Sequence, residues 1–272
     1  MKTFRAIPLV PFVLFAFAFP AASHELWIAP SEYQVSSDAP VVVNLRNGQE
    51  FEGIDLAWFD KRILRFDRLQ NGTVTPVEGR SGDIPAARIQ AAGDGLMVLV
   101  YESAPSTLTY SEWEKFTEFA KHKDLDGTLE SHAARALPQT GFKEVYSRYS
   151  KALIGAGQAK GQDRAFGLEI EFVALANPYT DPMDQGLPVQ VNYRGEPRRD
   201  AQIEVFERAP TGAVAISTLR TDDSGQAAIP VKPGHEYLLD SVVMREPAPD
   251  LAKDKGAVWE SLWAAMTFRV PG

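Results

Sequence analysis

From residue 166 onward the chain alternates apolar and polar residues in short runs separated by turns, and this pattern limits the fold more than any other feature. In residues 166–175, Leu168, Ile170 and Phe172 fall on one side and Glu169 and Glu171 on the other, as in a half-buried strand. Asn177-Pro178-Tyr179 ends that run. Leu187–Tyr193 alternates again and turns at Arg194-Gly195-Glu196-Pro197. Ala201–Phe206 follows, then the polar turn Thr221-Asp222-Asp223-Ser224-Gly225, then Ala227–Val231 and Pro233–Leu239. Strands spaced about ten residues apart, with turn chemistry between them, predict an antiparallel sandwich.

The first half has strand signals of its own. Val41–Leu45 is β-branched and bounded by Pro40 and Asn47-Gly48. Ile63–Phe66 and Met97–Tyr101 are similar runs, and Asn71-Gly72 between apolar segments predicts a hairpin. Residues 111–155 change character. Ser111 with Glu114 three residues on has the form of a capping box, and Trp113, Phe116, Phe119 and Ala120 recur at helical spacing. A break is expected at 123–127, a second helix over about 128–137 and a third over about 140–154, the last carrying Phe142, Val145, Tyr149, Leu153 and Ile154. Trp259 and Trp263, four apart, fit one helix face near the C-terminus. Gly155, Gly157 and Gly161 form a linker. The expected fold is mainly β: two antiparallel β-sandwich domains, 24–165 and 166–272, with a helical insert near 111–155.

Residues 1–23 read as a secretory signal peptide. Lys2 and Arg5 precede an apolar run of 14 residues, 6–19, and small residues follow at Ala21 and Ser23. The run is too short to span a bilayer and contains Pro8 and Pro11. Cleavage after Ser23 makes His24 the first residue of an exported, periplasmic protein with no stable membrane insertion. Its free α-amino group and its imidazole can then chelate one divalent cation. Removing Lys2 and Arg5 takes the formal charge from −8 to −10. So acidic a chain is unsuited to nucleic acid, whose phosphates demand lysine and arginine. Cysteine is absent, which excludes disulfides and thiolate metal sites.

Four histidines remain as nitrogen ligands: His24, His122, His132 and His235. His122 and His132 are ten apart across the helix break, not the i, i+4 pair that one helix face presents. His235 follows Pro233-Gly234 and reads as a turn residue. Asp124-Leu125-Asp126-Gly127 fails as a calcium loop: glycine is fourth rather than sixth, and the twelfth residue is Arg135 rather than glutamate. No glycine-rich phosphate loop and no Gly-x-Ser-x-Gly elbow is present, so no enzyme activity is expected. A copper oxidase built on an N-terminal histidine brace needs a second histidine beside the first, which the sequence does not bring together.

Four stretches carry a family resemblance: His24-Glu25-Leu26-Trp27, Gly48–Gly53, Arg148–Leu153 and Leu168–Tyr179. On these the chain resembles the periplasmic component associated with bacterial cobalt and nickel uptake, a domain-of-unknown-function family. The tail after Leu187 resembles a transthyretin-like or collagen-adhesin B-type sandwich through Gly195-Glu196-Pro197, Ala201, Val205, Thr221-Asp222, Gly225 and Gly234–Leu238. The first resemblance implies a non-enzymatic protein that binds a divalent transition metal, nickel or cobalt, for uptake. It makes His24 the first candidate ligand and transfers no second one; the expected set adds Glu25 and His122 or His132 as assisting donors, and a membrane metal transporter as partner. Imidazole and amine donors also suit copper and zinc. The second resemblance implies an alternative, an adhesin-like scaffold that binds a protein or glycan without metal.

Overall fold

A computed structural model describes residues 24–272. The expected signal peptide lies outside the described residues. In chain order the strands and helices are β1 (Glu25–Pro30), β2 (Gln34–Val35), β3 (Pro40–Gln49), β4 (Glu52–Leu56), β5 (Ile63–Gln70), β6 (Thr73–Pro76), β7 (Ala87–Gln90), β8 (Gly95–Ser103), β9 (Ser106–Tyr110), α1 (Trp113–His122), α2 (Thr128–Ala134) and β10 (Phe142–Ala156). The second half adds β11 (Ile170–Ala174), β12 (Leu187–Tyr193), β13 (Glu196–Pro197), β14 (Gln202–Arg208), β15 (Val214–Arg220), β16 (Gln226–Ile229), β17 (Glu236–Arg245), α3 (Pro249–Lys255) and β18 (Trp259–Arg269). The fold is mainly β, as the alternation predicts.

One long sheet, in the order β15-β14-β17-β18-β10-β8-β5-β6, forms the middle layer. Its two faces are covered differently. Strands β11, β12, β13 and β16 form a small sheet over one face, where Val98, Val100, Leu153, Val205, Leu239, Leu262 and Phe268 meet Ile170, Phe172, Val189 and Val191. On the other face Met97, Leu99, Ala152 and Ile154 meet Leu26, Ile28, Val43 and Leu45 of a sheet made from β1, β3, β4 and β7. On that same face α1 and α2 cover Phe142, Val242, Trp259 and Trp263. Strand alternation places the residues of each set on a single face. Among the described residues no helix is long and apolar enough to cross a membrane.

The third expected helix is a correction. Residues 142–156 are strand β10, paired in parallel with β18 from Glu144↔Trp259 to Ala152↔Thr267. Both faces of β10 are buried, so apolar residues occur at every phase and mimic a helical spacing. The helical insert is therefore confined to α1 and α2. Trp259 and Trp263 likewise share a face of strand β18, not of a helix. The capping box does not form either: α1 begins after Glu112, which makes no side-chain cap bond. The expected boundary at 165/166 falls between β10 and β11, but the β10–β18 pairing joins both halves into one sheet.

Candidate functional site

Strands β14 and β17 pair in a register that stacks three kinds of residue along one seam: Glu204 opposite Asp240, Phe206 opposite Leu238, and Arg208 opposite Glu236. Strand β1 runs over this face and adds Glu25, Trp27 and Ala29 in the same succession. The middle layer, Trp27, Phe206, Leu238 and Ala265 with Phe51, is apolar and buried. It separates a carboxylate layer from a mixed-charge layer.

The carboxylate layer closes around a single ammonium group. Lys123, the residue that ends α1, places Nζ 2.8 Å from Glu25 Oε1, 2.6 Å from Glu204 Oε2 and 2.8 Å from Asp240 Oδ2. All four side chains are buried. Helix α1 delivers Lys123 because Phe116, Phe119 and Ala120 bury its apolar side and Lys123 N–H still bonds Phe119 O. A cation at a helix C-terminus is also favoured by the helix dipole. Nζ lies 5.1 Å from the Trp263 ring, and the Arg148 guanidinium 5.0 Å from it. Arg148 is buried and donates to the His24 carbonyl, which holds the start of the described chain over the cluster.

Three carboxylates share the Lys123 ammonium here, and Arg148 lies nearby, between this group and Glu144. Two buried oxygens, Glu25 Oε2 and Asp240 Oδ1, have no hydrogen-bond partner. Burial pushes the Asp240 carboxyl up to about 6, against the pull of Lys123. Burial alone would lower the Lys123 ammonium; Asp240, Glu25 and Glu204 together hold it above its ordinary value. Burial also raises Glu204, but His122 and Lys123 outweigh this and leave it below the usual carboxylate range.

His122 lies at the rim. Its Nε2 is 3.1 Å from Glu204 Oε1, and the side chain is 62% exposed. The hydrogen bond to Glu204 raises its pKa. The structure thus brings His122 and Glu25 to one cluster; His24 precedes Glu25 in the chain, and its carbonyl accepts from Arg148. The fold does not bring His132 there, and this removes His132 from the expected ligand set. That imidazole is buried among Trp113, Phe116, Phe142 and Trp259. Its Nδ1 accepts from the Trp259 indole at 3.0 Å and its Nε2 lies 3.2 Å from Pro138 O, so neither nitrogen is left for an ion.

Among the described residues, Glu25, Glu204 and Asp240 are the group whose ligand atoms lie close enough to share a metal, within 4.8 Å of one another. The Lys123 ammonium already bonds all three. The interior of the cluster is thus taken up by an ammonium group, and His122 is the nitrogen donor that touches its rim. Sequence reasoning missed Lys123, Arg148, Glu204 and Asp240. One signal was present: Asp240 interrupts the otherwise apolar run Leu238-Leu239-Asp240-Ser241-Val242.

A family model described as "Domain of unknown function (DUF4198)" matches residues 21–245. No curated protein matches the sequence. Among solved structures, a tetra-tandem repeat from the extending region of a large adhesion protein is similar at 9% identity and TM-score 0.22, over 91% of this chain. This chain spans about half the length of that one, 50%. The D0-D1 domain of Intimin is similar at 11% identity and TM-score 0.19, with 89% of this chain and 97% of that one covered. The Yersinia pseudotuberculosis adhesin InvE is similar at 12% identity and TM-score 0.19, with 91% and 59% covered. At such TM-scores these likenesses carry no weight for function.

Proposed function

The chain belongs to the DUF4198 family, a domain of unknown function, and we propose its role from the residues of the site: it is an exported, non-enzymatic protein that binds one divalent transition-metal ion, nickel or cobalt, as cargo for uptake. The observation that carries this reading is the contact of His122 Nε2 with Glu204 Oε1 at 3.1 Å, in the same cluster that Glu25 joins immediately after His24. Strand β1 and helix α1, far apart in sequence, meet at this cluster through Glu25 and Lys123, and the reading has His24 and His122 share its rim.

The donor set suits such an ion. Imidazole and a free amine select nickel, cobalt, copper or zinc over magnesium and calcium. With His122 neutral, three carboxylates share the one Lys123 ammonium, and this excess of buried acid favours a cation at the rim. His24 would hold the ion through its ring and its α-amino group, His122 through Nε2, and Glu204 through the oxygen now bonded to His122. Histidine and amine must lose their protons to bind, so affinity weakens as pH falls. Because Glu204 raises the pKa of His122, this weakening begins above the ordinary histidine value of about 6.5. A membrane metal transporter is the acceptor this role requires.

Calorimetric titration of the mature protein with nickel, cobalt, copper and zinc tests the reading. The expected result is one ion per chain, with affinity reduced about tenfold or more in His24→Ala and His122→Ala. No binding of any of the four ions to a chain that begins at His24 would overturn it.

A further inference from the structure

The opposite end of the seam holds a second site. Beyond the apolar layer of Trp27, Phe206 and Leu238, the two halves of the molecule enclose a cavity of about 290 Å³. Trp27, Asn44, Arg46, Phe51, Arg208 and Glu236 line it. Two guanidinium groups face it, Arg46 and Arg208, each paired with a carboxylate, Asp55 and Glu236.

The two arginines are committed to different degrees. Arg208 is committed through both Nη groups: it lies 3.2 Å from Glu236 Oε2, donates to the Phe51 carbonyl, and stacks 3.9 Å from the Phe51 ring centroid. Arg46 spends only Nε, on Asp55 Oδ1 at 2.7 Å. Its two Nη groups have no hydrogen-bond partner among the described residues. Asp55 thereby fixes the guanidinium while its planar fork stays open. Glu236 bonds Arg208 through Oε2 and keeps Oε1 as an acceptor. Trp27 and Phe51 pack edge to face at 5.8 Å and give the cavity a rigid aromatic wall.

We propose that this cavity binds a small organic acid that carries a hydroxyl or amino group beside its carboxylate. The carboxylate would take the Arg46 fork, whose geometry matches it bidentately. The neighbouring donor would reach Glu236, and the short carbon skeleton would lie against Trp27. The volume is at the small end for ligand pockets, and the junction between two packed units is a common place for one. This site is separate from the histidine rim and does not rest on the metal reading.

The test is titration of the mature full-length chain in metal-free buffer with glycolate, malate, citrate, glycine and glutamate at millimolar concentrations, followed by calorimetry. At least one acid is expected to bind with unit stoichiometry; hydroxy acids and amino acids are the two arms that identify the source. Arg46→Lys keeps the charge but loses the fork, and is expected to weaken binding about tenfold or more. His24→Ala and His122→Ala should leave binding unchanged. Thermal denaturation of Arg46→Lys confirms that it folds. Failure of all five acids to bind, or equal affinity in folded Arg46→Lys, overturns the proposal.

Discussion

Lys123 and Lys151 are both buried ammonium groups, on opposite faces of the same sheet, and their surroundings differ in kind. Lys151 Nζ meets one carboxylate, Asp163 at 2.7 Å, and two backbone carbonyls, Arg164 O at 3.0 Å and Phe172 O at 2.9 Å. One bonded carboxylate serves one ammonium, Asp163 Oδ2 also accepts from Ala174 N at 2.9 Å, and the neighbouring Glu171 carboxylate is taken up by the Phe166 and Gly167 amides. The result is a clamp that ties the connection before β11 to the sheet. Lys123 meets three carboxylates, and two oxygens of that group remain without partners. A matched pair fastens the fold, whereas a surplus of buried negative charge attracts a further proton or cation to its rim. Substitutions at the two positions should separate these roles.

The largest effect is expected from Lys123→Met, roughly 5 kcal/mol of stability lost at pH 7, because three buried carboxylates lose their shared cation. That loss should shrink at pH 5, where a proton on the cluster replaces the missing charge. Lys151→Met should cost about 3 kcal/mol and strand a single carboxylate. Urea denaturation of both variants at pH 5 and pH 7 checks this; parallel pH profiles would erase the distinction between clamp and site.

Asp240→Asn sharpens the comparison through pH. The Asp240 carboxyl titrates near 6 in the folded protein, above its ordinary 3.8. The native state therefore holds a proton that the unfolded chain releases, and stability falls as pH rises from about 4 to about 6. Asp240→Asn should flatten that window, an effect of about 1–3 kcal/mol. A slope unchanged by the substitution would assign the surplus charge to another group.

The two helical histidines make the same point on a smaller scale. His132→Ala should cost about 2 kcal/mol, since it opens a hole between aromatic rings and leaves the buried Trp259 indole without an acceptor. It should not alter metal affinity. His122→Ala should cost less than about 1 kcal/mol, because the side chain is 62% exposed and water screens its pair with Glu204. That pair stabilises the fold below the ordinary histidine pKa, and the contribution disappears as pH rises through the raised value. Metal affinity should nevertheless fall about tenfold. The reverse ranking, in thermal melts and nickel titrations, would move the site to α2.

The β character was legible because one-sided strands alternate, as 187–193 does between Val189, Val191 and the outward Gln190. Strand β10 was not, since burial on both faces erases the alternation and leaves spacings that a helix also satisfies. At the site, Glu25 and His122 were among the expected donors, and both side chains lie at the Lys123 cluster. Lys123 was read as part of a helix break, and Glu204 lay inside the expected strand Ala201–Phe206 with nothing local to mark it; both faces of that strand are covered. What joins them is the β14–β17 register and the placement of β1 over it, which are long-range pairings that no local pattern records.

X-ray absorption on the nickel-loaded mature protein tests the central claim most directly. Binding at the rim predicts a nitrogen-dominated shell with two imidazoles, from His24 and His122, and loss of one imidazole in His122→Ala. An all-oxygen shell would place the ion among Glu25, Glu204 and Asp240 in competition with Lys123, and would contradict the account, as would a spectrum unchanged in both histidine variants.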